Sequence, residues 1–155
     1  MQVTVEMTGL PRLEAAANAL DGLQMERRFG LMRELGQMIK LQHVRRILSE
    51  KRSPDGAAWA PLKASTVKRK GNGNILVESG AMAWGWHLDI TGERVLMRNT
   101  AKSRRGEAVL YLPFHQYGTS KMVARPPMGF SVANIAEIMR RVESWVSGRI
   151  MSIAA

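Results

Sequence analysis

The chain contains no cysteine, few aromatic residues and no long apolar run. The missing cysteines exclude a disulfide scaffold, a thiolate metal site and a cysteine nucleophile. The unbroken apolar runs span only a few residues, whereas a membrane-spanning helix needs about 20. The first residues also lack the basic segment and apolar stretch of a secretory signal. We therefore expect a soluble, intracellularly made protein with no membrane partner.

Acidic side chains are scarce relative to basic ones. The 155 residues include 23 lysines and arginines but 13 aspartates and glutamates, which gives a net charge of +10. Residues 40–72 hold nine basic and two acidic residues, and residues 94–105 hold five basic residues and none that are acidic. Such a chain favours polyanionic surroundings, such as nucleic acid, an anionic membrane or an acidic protein. A soluble protein with a basic surface fits the same numbers.

Patterns typical of catalysis are weak. Ser65 and Lys68 fit the S-x-x-K motif of serine acyl-enzymes, but the partner motifs of those enzymes are missing. His43, His87 and His115 are far apart in sequence and show no metal-ligand spacing. The Gly71-x-Gly73 pair lacks the third glycine of a dinucleotide loop. We therefore predict no enzymatic activity, no metal and no cofactor.

Apolar periodicity predicts two substantial helices. Leu31, Leu35, Met38, Leu41, Val44 and Leu48 form one stripe of a helix over residues 24–52. The Ser53–Gly56 segment is predicted to end that helix. Ser131 is predicted to cap a C-terminal helix, without a full capping box because Asn134 stands where glutamate is usual. Shorter helical segments are predicted after Pro11, over residues 65–70 and near residues 79–84.

Alternating residues predict the strands. Residues 2–7 form one strand, and residues 86–90 and 95–97 flank a turn and form a β-hairpin. The predicted fold is α+β: a long N-terminal helix and a C-terminal helix packed on a small antiparallel sheet, with extended loops. We expect one domain over residues 1–155, with mobile loops at about 53–74 and 99–107.

Three clusters of residues are unusual for loops. The first runs from Gly56 through Trp59, Pro61, Leu62 and Lys63. The second spans residues 75–82 and includes Leu76, Ser79, Gly80 and Met82. The third joins His115, Gln116 and Gly118 to Arg125, Pro126, Gly129 and Ser131 before the last helix.

In order and spacing, these clusters resemble the phage virion morphogenesis family, also called tail completion proteins, of Mu-like and related tailed phages. The resemblance spans about residues 31–145. It implies a non-enzymatic virion protein at the head–tail junction, assembled in the host cytoplasm. It also implies a ring of identical subunits, expected to be a hexamer, that contacts neighbouring head–tail connector and tail tube or terminator proteins. Packaged DNA would pass through the lumen of the ring.

Two sets of site residues follow as hypotheses. The interface set consists of Trp59, Leu62, Lys63, Met82, His115, Gln116, Arg125, Pro126 and Phe130. The basic set, which would contact DNA or an adjacent ring, consists of Lys68, Arg69, Lys70, Lys102, Arg104 and Arg105. Arg125 either pairs with a carboxylate of a neighbouring subunit or forms an intrachain salt bridge.

Two other functions remain open at this point. The main alternative is a basic protein that binds DNA without regard to sequence. A weaker one is a hydrolase that uses Ser65 and Lys68. Assembly into a large oligomer would favour the ring over a simple DNA-binding protein.

Overall fold

The computed structural model describes residues 4–6, 25–91, 93–101 and 112–153. Their elements follow in the order β1 (Thr4–Glu6), α1 (Met25–Arg45), α2 (Ala64–Lys70), α3 (Ala81–Trp84), β2 (Trp86–Ile90), β3 (Val95–Asn99), α4 (Leu112–Tyr117) and α5 (Val132–Ile153). The predicted α+β class is confirmed. The helix predicted after Pro11 and the loop segment 102–107 lie outside the described residues.

The predicted hairpin supplies two strands of a three-stranded antiparallel sheet, with β3 at the centre and β2 at one edge. Leu88 of β2 faces Met97 of β3, and Trp86 faces Asn99. The N-terminal strand pairs with the other edge of β3, where Val5 faces Met97. The strand order is therefore β1-β3-β2.

The long helix α1 packs against β2, β3 and α5. Gly36 permits the close approach to the sheet, because a Cβ atom there would lie 3.1 Å from Val95 Cγ1. The core joins side chains of all these elements: Leu31, Leu35, Ile39, Ile47, Trp86, Met97, Ile138 and Val142. The C-terminal helix thus makes its main contact with α1, which in turn covers the sheet.

Because both the sheet and α5 cover α1, its buried residues differ from the predicted apolar stripe. Leu41, which was predicted to belong to the apolar stripe, is 59% exposed. The polar residues Gln42, His43 and Arg46 are buried instead. A pattern counted from apolar residues alone misses them, because they are polar side chains on the inward face.

The end of α1 differs slightly from the prediction. The helix continues as one π-helical turn over Arg46–Glu50, and Lys51 then takes a left-handed conformation with φ 52° and ψ 37°. The helix therefore ends at Glu50, before Ser53–Gly56.

The start of α5 carries a reciprocal cap. The Ser131 hydroxyl accepts a hydrogen bond of 3.1 Å from the Asn134 backbone N–H. In return, Asn134 Oδ1 accepts one of 3.1 Å from the Ser131 backbone N–H. The prediction that no full capping box forms was wrong, because the asparagine side chain takes the place of the glutamate.

Two long connections complete the chain around the shorter helices. The predicted helical segments at 65–70 and 79–84 appear as α2 and α3, while α4 was not predicted. Residues 59–63 and 123–128 contain neither helix nor strand. These connections carry the sequence clusters described above.

Candidate functional site

The three sequence clusters converge on one cleft. Its volume is about 780 Å³, and it is lined by the 60–63 connection, α2, residues 76–82 and the 121–125 segment. We call it the basic cleft. The lining residues are Ala60, Pro61, Leu62, Lys63, Thr66, Arg69, Lys70, Leu76, Glu78, Ser79, Gly80, Ala81, Met82, His115, Lys121, Met122, Val123 and Arg125. Segments that are distant in sequence thus form one concave surface.

The charge of the basic cleft is strongly positive. Its cations are Lys63, Arg69, Lys70, Lys121 and Arg125. Among the described lining residues, Glu78 supplies the acidic charge. An excess of cations in a concave surface concentrates a positive potential, which attracts anionic groups.

Arg125 joins two walls of the cleft. Its Nε donates a hydrogen bond of 2.8 Å to the Ala60 carbonyl, and its Nη2 donates one of 2.9 Å to the Pro61 carbonyl. Its backbone N–H also donates to the His115 carbonyl at 2.7 Å. The guanidinium is used within the chain and contacts backbone carbonyls. Among the described residues it forms no intrachain salt bridge, and its pairing with a carboxylate of a neighbouring subunit stays a prediction.

Lys70 has a similar structural role on the opposite wall. Its Nζ donates hydrogen bonds of 2.6 Å to the Asn74 carbonyl and 2.7 Å to the Val77 carbonyl. Burial is the largest influence on its pKa and lowers it, although Glu78 acts in the other direction. Lys70 therefore anchors the loop that follows α2.

The same loop has an unusual backbone. Leu76 takes a positive φ of 58°, a conformation that is costly for a side chain of this size. Lys51 holds the preceding residue, because its Nζ donates a hydrogen bond of 3.0 Å to the Ile75 carbonyl. Lys51 and Lys70 thus hold the loop that contains Leu76 in this strained conformation.

His115 lies at the cleft with an unpartnered nitrogen. Burial, together with the positive charges of Arg125 and Lys70, lowers its pKa to about 4. Its Nδ1 is buried and has no hydrogen-bond partner in the part of the chain that the structure describes. At neutral pH the ring is therefore uncharged.

A buried polar network supports the third cluster from the core. Gln116 bonds the backbone of Met128 in both directions, at 3.3 and 3.1 Å. Arg46 donates from Nη1 to the Pro127 carbonyl at 3.2 Å and to the Gly129 carbonyl at 2.6 Å. The polar residues on α1 thus fix the connection that carries Arg125.

His43 belongs to the same network. Its Nδ1 lies 2.8 Å from the Ile39 carbonyl, and the Gly129 N–H donates to its Nε2 at 3.3 Å. These partners assign the proton to Nδ1 and leave the ring neutral. Burial lowers its pKa to about 4.

The predicted interface set divides by exposure. Three members are buried within the chain, namely Trp59, Met82 and Arg125. The side chains of Leu62, His115, Gln116, Pro126 and Phe130 are partly exposed, and that of Lys63 is exposed. The buried members contribute to the core and to the wall of the cleft. The others remain predictions for an interface.

The predicted basic set also divides. Arg69 and Lys70 line the cleft, whereas the neighbouring Lys68 is exposed and does not. Lys102, Arg104 and Arg105 lie outside the described residues. The three consecutive basic residues of α2 therefore differ in role. Lys68 lies outside the cleft, Arg69 lines it with an exposed side chain, and Lys70 lines it while bonded to backbone carbonyls.

Sequence reasoning missed several surface residues. Lys121 and Val123 line the cleft but belong to no motif that was singled out. Phe114 and Tyr117 of α4 are exposed by 53% and 72%. A helix of six residues that contains a proline gives no clear periodicity, so no signal placed these aromatic side chains on the surface.

The residues considered above for catalysis and metal binding can be located among the described residues. Ser65 and Lys68 are both exposed on α2, and no hydrogen bond joins them. Within the described ranges, no group of three or more histidine, aspartate or glutamate side chains is placed to hold a metal ion. Among the helices of those ranges, none is long and apolar enough to span a membrane.

Comparison with known proteins gives one match. Residues 10–147 match the model of the phage virion morphogenesis family. The matched range includes α1, the basic cleft and most of α5. No curated protein and no solved structure matches the chain.

Proposed function

The chain belongs to the phage virion morphogenesis family, and from this premise we propose that it completes the tail and forms a ring at the head–tail junction. Family membership carries the proposal, since the match spans residues 10–147 and includes all three sequence clusters. The ring is expected to be a hexamer. Its neighbours would be head–tail connector proteins on one side and tail tube or terminator proteins on the other.

The exposed apolar side chains support assembly into a ring. A closed ring repeats one contact between two different faces of each subunit. Tyr117 and Phe114 expose aromatic rings on α4, and Leu41 exposes an aliphatic side chain on α1. Large exposed apolar side chains mark protein–protein contacts when they cluster. Phe114 and Tyr117 form one such cluster, and Leu41 forms another with the partly exposed Met38, which lines the same concavity. Two such sites on different elements fit the two faces that a ring requires.

The proposed role requires no chemistry of its own. We propose a non-enzymatic protein without cofactor or metal, assembled in the host cytoplasm and retained in the virion. The exposed Lys68 and Arg69 would face either DNA in the lumen or an adjacent ring. DNA contact predicts binding that weakens steeply with salt, whatever the DNA sequence.

Head–tail joining in vitro tests the proposal. A phage that lacks this protein should accumulate unjoined heads and tails, and the purified chain should restore infectious particles. Tyr117→Arg and Leu41→Arg place a charge on the two apolar sites and should abolish joining. The control is Ser144→Arg, which adds the same charge at an exposed position of α5 and should join normally.

The main alternative is a basic protein that binds DNA without sequence preference. The net charge of +10 favours it. It predicts DNA binding by a monomer and joining that does not depend on Tyr117 or Leu41. Normal joining by both apolar-site variants, together with salt-sensitive DNA binding, would favour this alternative.

A further inference from the structure

The cations of the basic cleft divide into those that hold the fold and those that do not. Lys70 and Arg125 are committed to backbone carbonyls. Lys63, Arg69 and Lys121 are exposed, and within the described residues none of their side chains forms a hydrogen bond or an ion pair. Three cations at the cleft therefore have no side-chain partner in the part of the chain that the structure describes.

The cleft also has an apolar lining, its floor. Leu62, Leu76 and Met122 are partly exposed there, and Val123 is 62% exposed. A site for free phosphate does not require such apolar side chains. Apolar contacts combined with cations suit a ligand that carries both apolar groups and negative charges.

The shape of the cleft argues for a polypeptide. A concavity of about 780 Å³ has the size of sites that enclose small ligands or short segments. A DNA duplex presents a convex row of phosphates, and its bases are stacked inside, so it offers nothing to fill the apolar floor. An extended peptide can place alternate side chains on the floor and at the rim.

A second copy of this chain is a poor source of that peptide. The chain has a net charge of +10, and half of the eight carboxylates whose side chains the structure describes are already paired with other side chains within it. Glu34 pairs with Arg141, Glu50 with Arg45, and Asp89 with Arg98. Glu137 accepts a hydrogen bond of 2.7 Å from Gln42. Charge complementarity therefore points to a different, more acidic protein.

We propose that the basic cleft binds an extended segment of an acidic partner protein, with aspartate or glutamate side chains at Lys63, Arg69 and Lys121 and apolar side chains on the floor. The inference rests on the proposed function only in that such a partner would be a neighbouring virion protein. The binding itself does not depend on the position of the chain in the particle.

Peptide selection tests the proposal with the purified full chain. Random dodecapeptides displayed on an unrelated carrier are selected for binding, and the affinities of the best are measured as synthetic peptides. We expect enrichment of aspartate and glutamate next to apolar residues. Arg69→Glu should weaken binding by about tenfold or more, which corresponds to about 1.4 kcal/mol. Lys63→Glu and Lys121→Glu should act in the same direction.

Lys68→Glu is the matched control. Lys68 neighbours Arg69 on α2 and is also exposed, but it does not line the cleft. The control should change peptide affinity by less than about twofold, because a charge outside the contact acts only at long range. Circular dichroism of each variant checks that the fold is retained.

Several results would overturn the proposal. These are failure to enrich any peptide, enrichment without acidic residues, or equal loss of binding in the Arg69 and Lys68 variants. Binding of a DNA duplex that is lost in Arg69→Glu and kept in Lys68→Glu would assign the cleft to nucleic acid instead. Absence of the chain from the virion neck would refute the ring and leave the peptide result standing.

Discussion

The Nε atom of Arg125 donates a hydrogen bond of 2.8 Å to the backbone carbonyl of Ala60, although 65 residues separate the two in sequence. The bond ties the segment before α5 to the connection before α2. Arg125 is 7% exposed, so its side chain is largely removed from water and depends on these carbonyls for hydrogen bonds. The walls of the basic cleft are therefore held together by a side chain and the backbone of a distant loop.

Arg125→Lys should destabilise the protein. A lysine cannot reproduce the planar pair of donors that reaches Ala60 and Pro61. At least one hydrogen bond from the buried cation is lost, at a cost of about 1–3 kcal/mol. Urea denaturation measures the loss as a lower transition midpoint. The comparison is Arg69→Lys at an exposed position, which should change stability by less than about 0.5 kcal/mol. Equal stability of the two variants would contradict the role assigned to Arg125.

The different structural roles of the cations in the cleft were not predictable from sequence. The hairpin, both long helices and the short helices α2 and α3 followed from local patterns of apolar and turn residues. Lys68, Arg69 and Lys70 form one basic run in sequence. Their different roles depend on carbonyls that long-range folding brings near.

The burial of His43 predicts a loss of stability in mild acid. Its pKa is lowered from 6.5 to about 4 in the folded protein, so the unfolded chain takes up the proton first as the pH falls. Stability should therefore decrease between about pH 6.5 and pH 4, by roughly 3 kcal/mol from this residue. His115, whose pKa is lowered in the same direction, adds to the effect.

His43→Gln isolates that contribution. The variant removes the titrating ring, so it should be less stable at pH 7 but lose less stability on acidification. Unfolding free energies measured at several pH values give the slope of stability against pH. A slope as steep as that of the unaltered protein would show that His43 is not the source.

Gly85 should not tolerate a side chain. A Cβ atom there would lie 2.5 Å from the Cβ of Ala101 and 2.7 Å from its Cα. Gly85→Ala must therefore shift the backbone, at a cost of about 1–3 kcal/mol. Gly30→Ala in α1 is the opposite case, because nothing lies within 4 Å of the added atom. It should stabilise the helix by about 0.5–1 kcal/mol. Thermal unfolding measures both, and a stabilised Gly85→Ala would contradict the packing of this turn.

The two capping residues of α5 should differ in importance. Ser131→Ala removes one capping bond and should cost about 1 kcal/mol. Asn134→Ala removes the reciprocal bond and also the acceptor of Arg46 Nη2, which lies 2.5 Å from its Oδ1. Because the guanidinium is buried, the loss should be larger, at about 2 kcal/mol or more. Chemical denaturation of both variants checks the order, and a smaller effect at Asn134 would contradict it.

Buried polar residues explain why the apolar pattern did not predict the inward face of α1 correctly. Gln42, His43 and Arg46 are buried on the inward side of α1. Because they are polar, apolar periodicity alone predicts that these positions face solvent. Their partners are backbone groups of residues 127–129 and the side chains of Asn134 and Glu137. Such pairings join residues far apart in sequence, so no local rule contains them.

Electron cryomicroscopy of the intact virion would show directly whether this chain forms a ring at the head–tail junction. We predict a closed ring of this chain at the head-proximal end of the tail, with Tyr117 and Leu41 in contacts between subunits. The predicted ring encloses the DNA passage and contacts a neighbouring protein through the basic cleft. A mature particle without this chain at the head–tail junction would contradict the account.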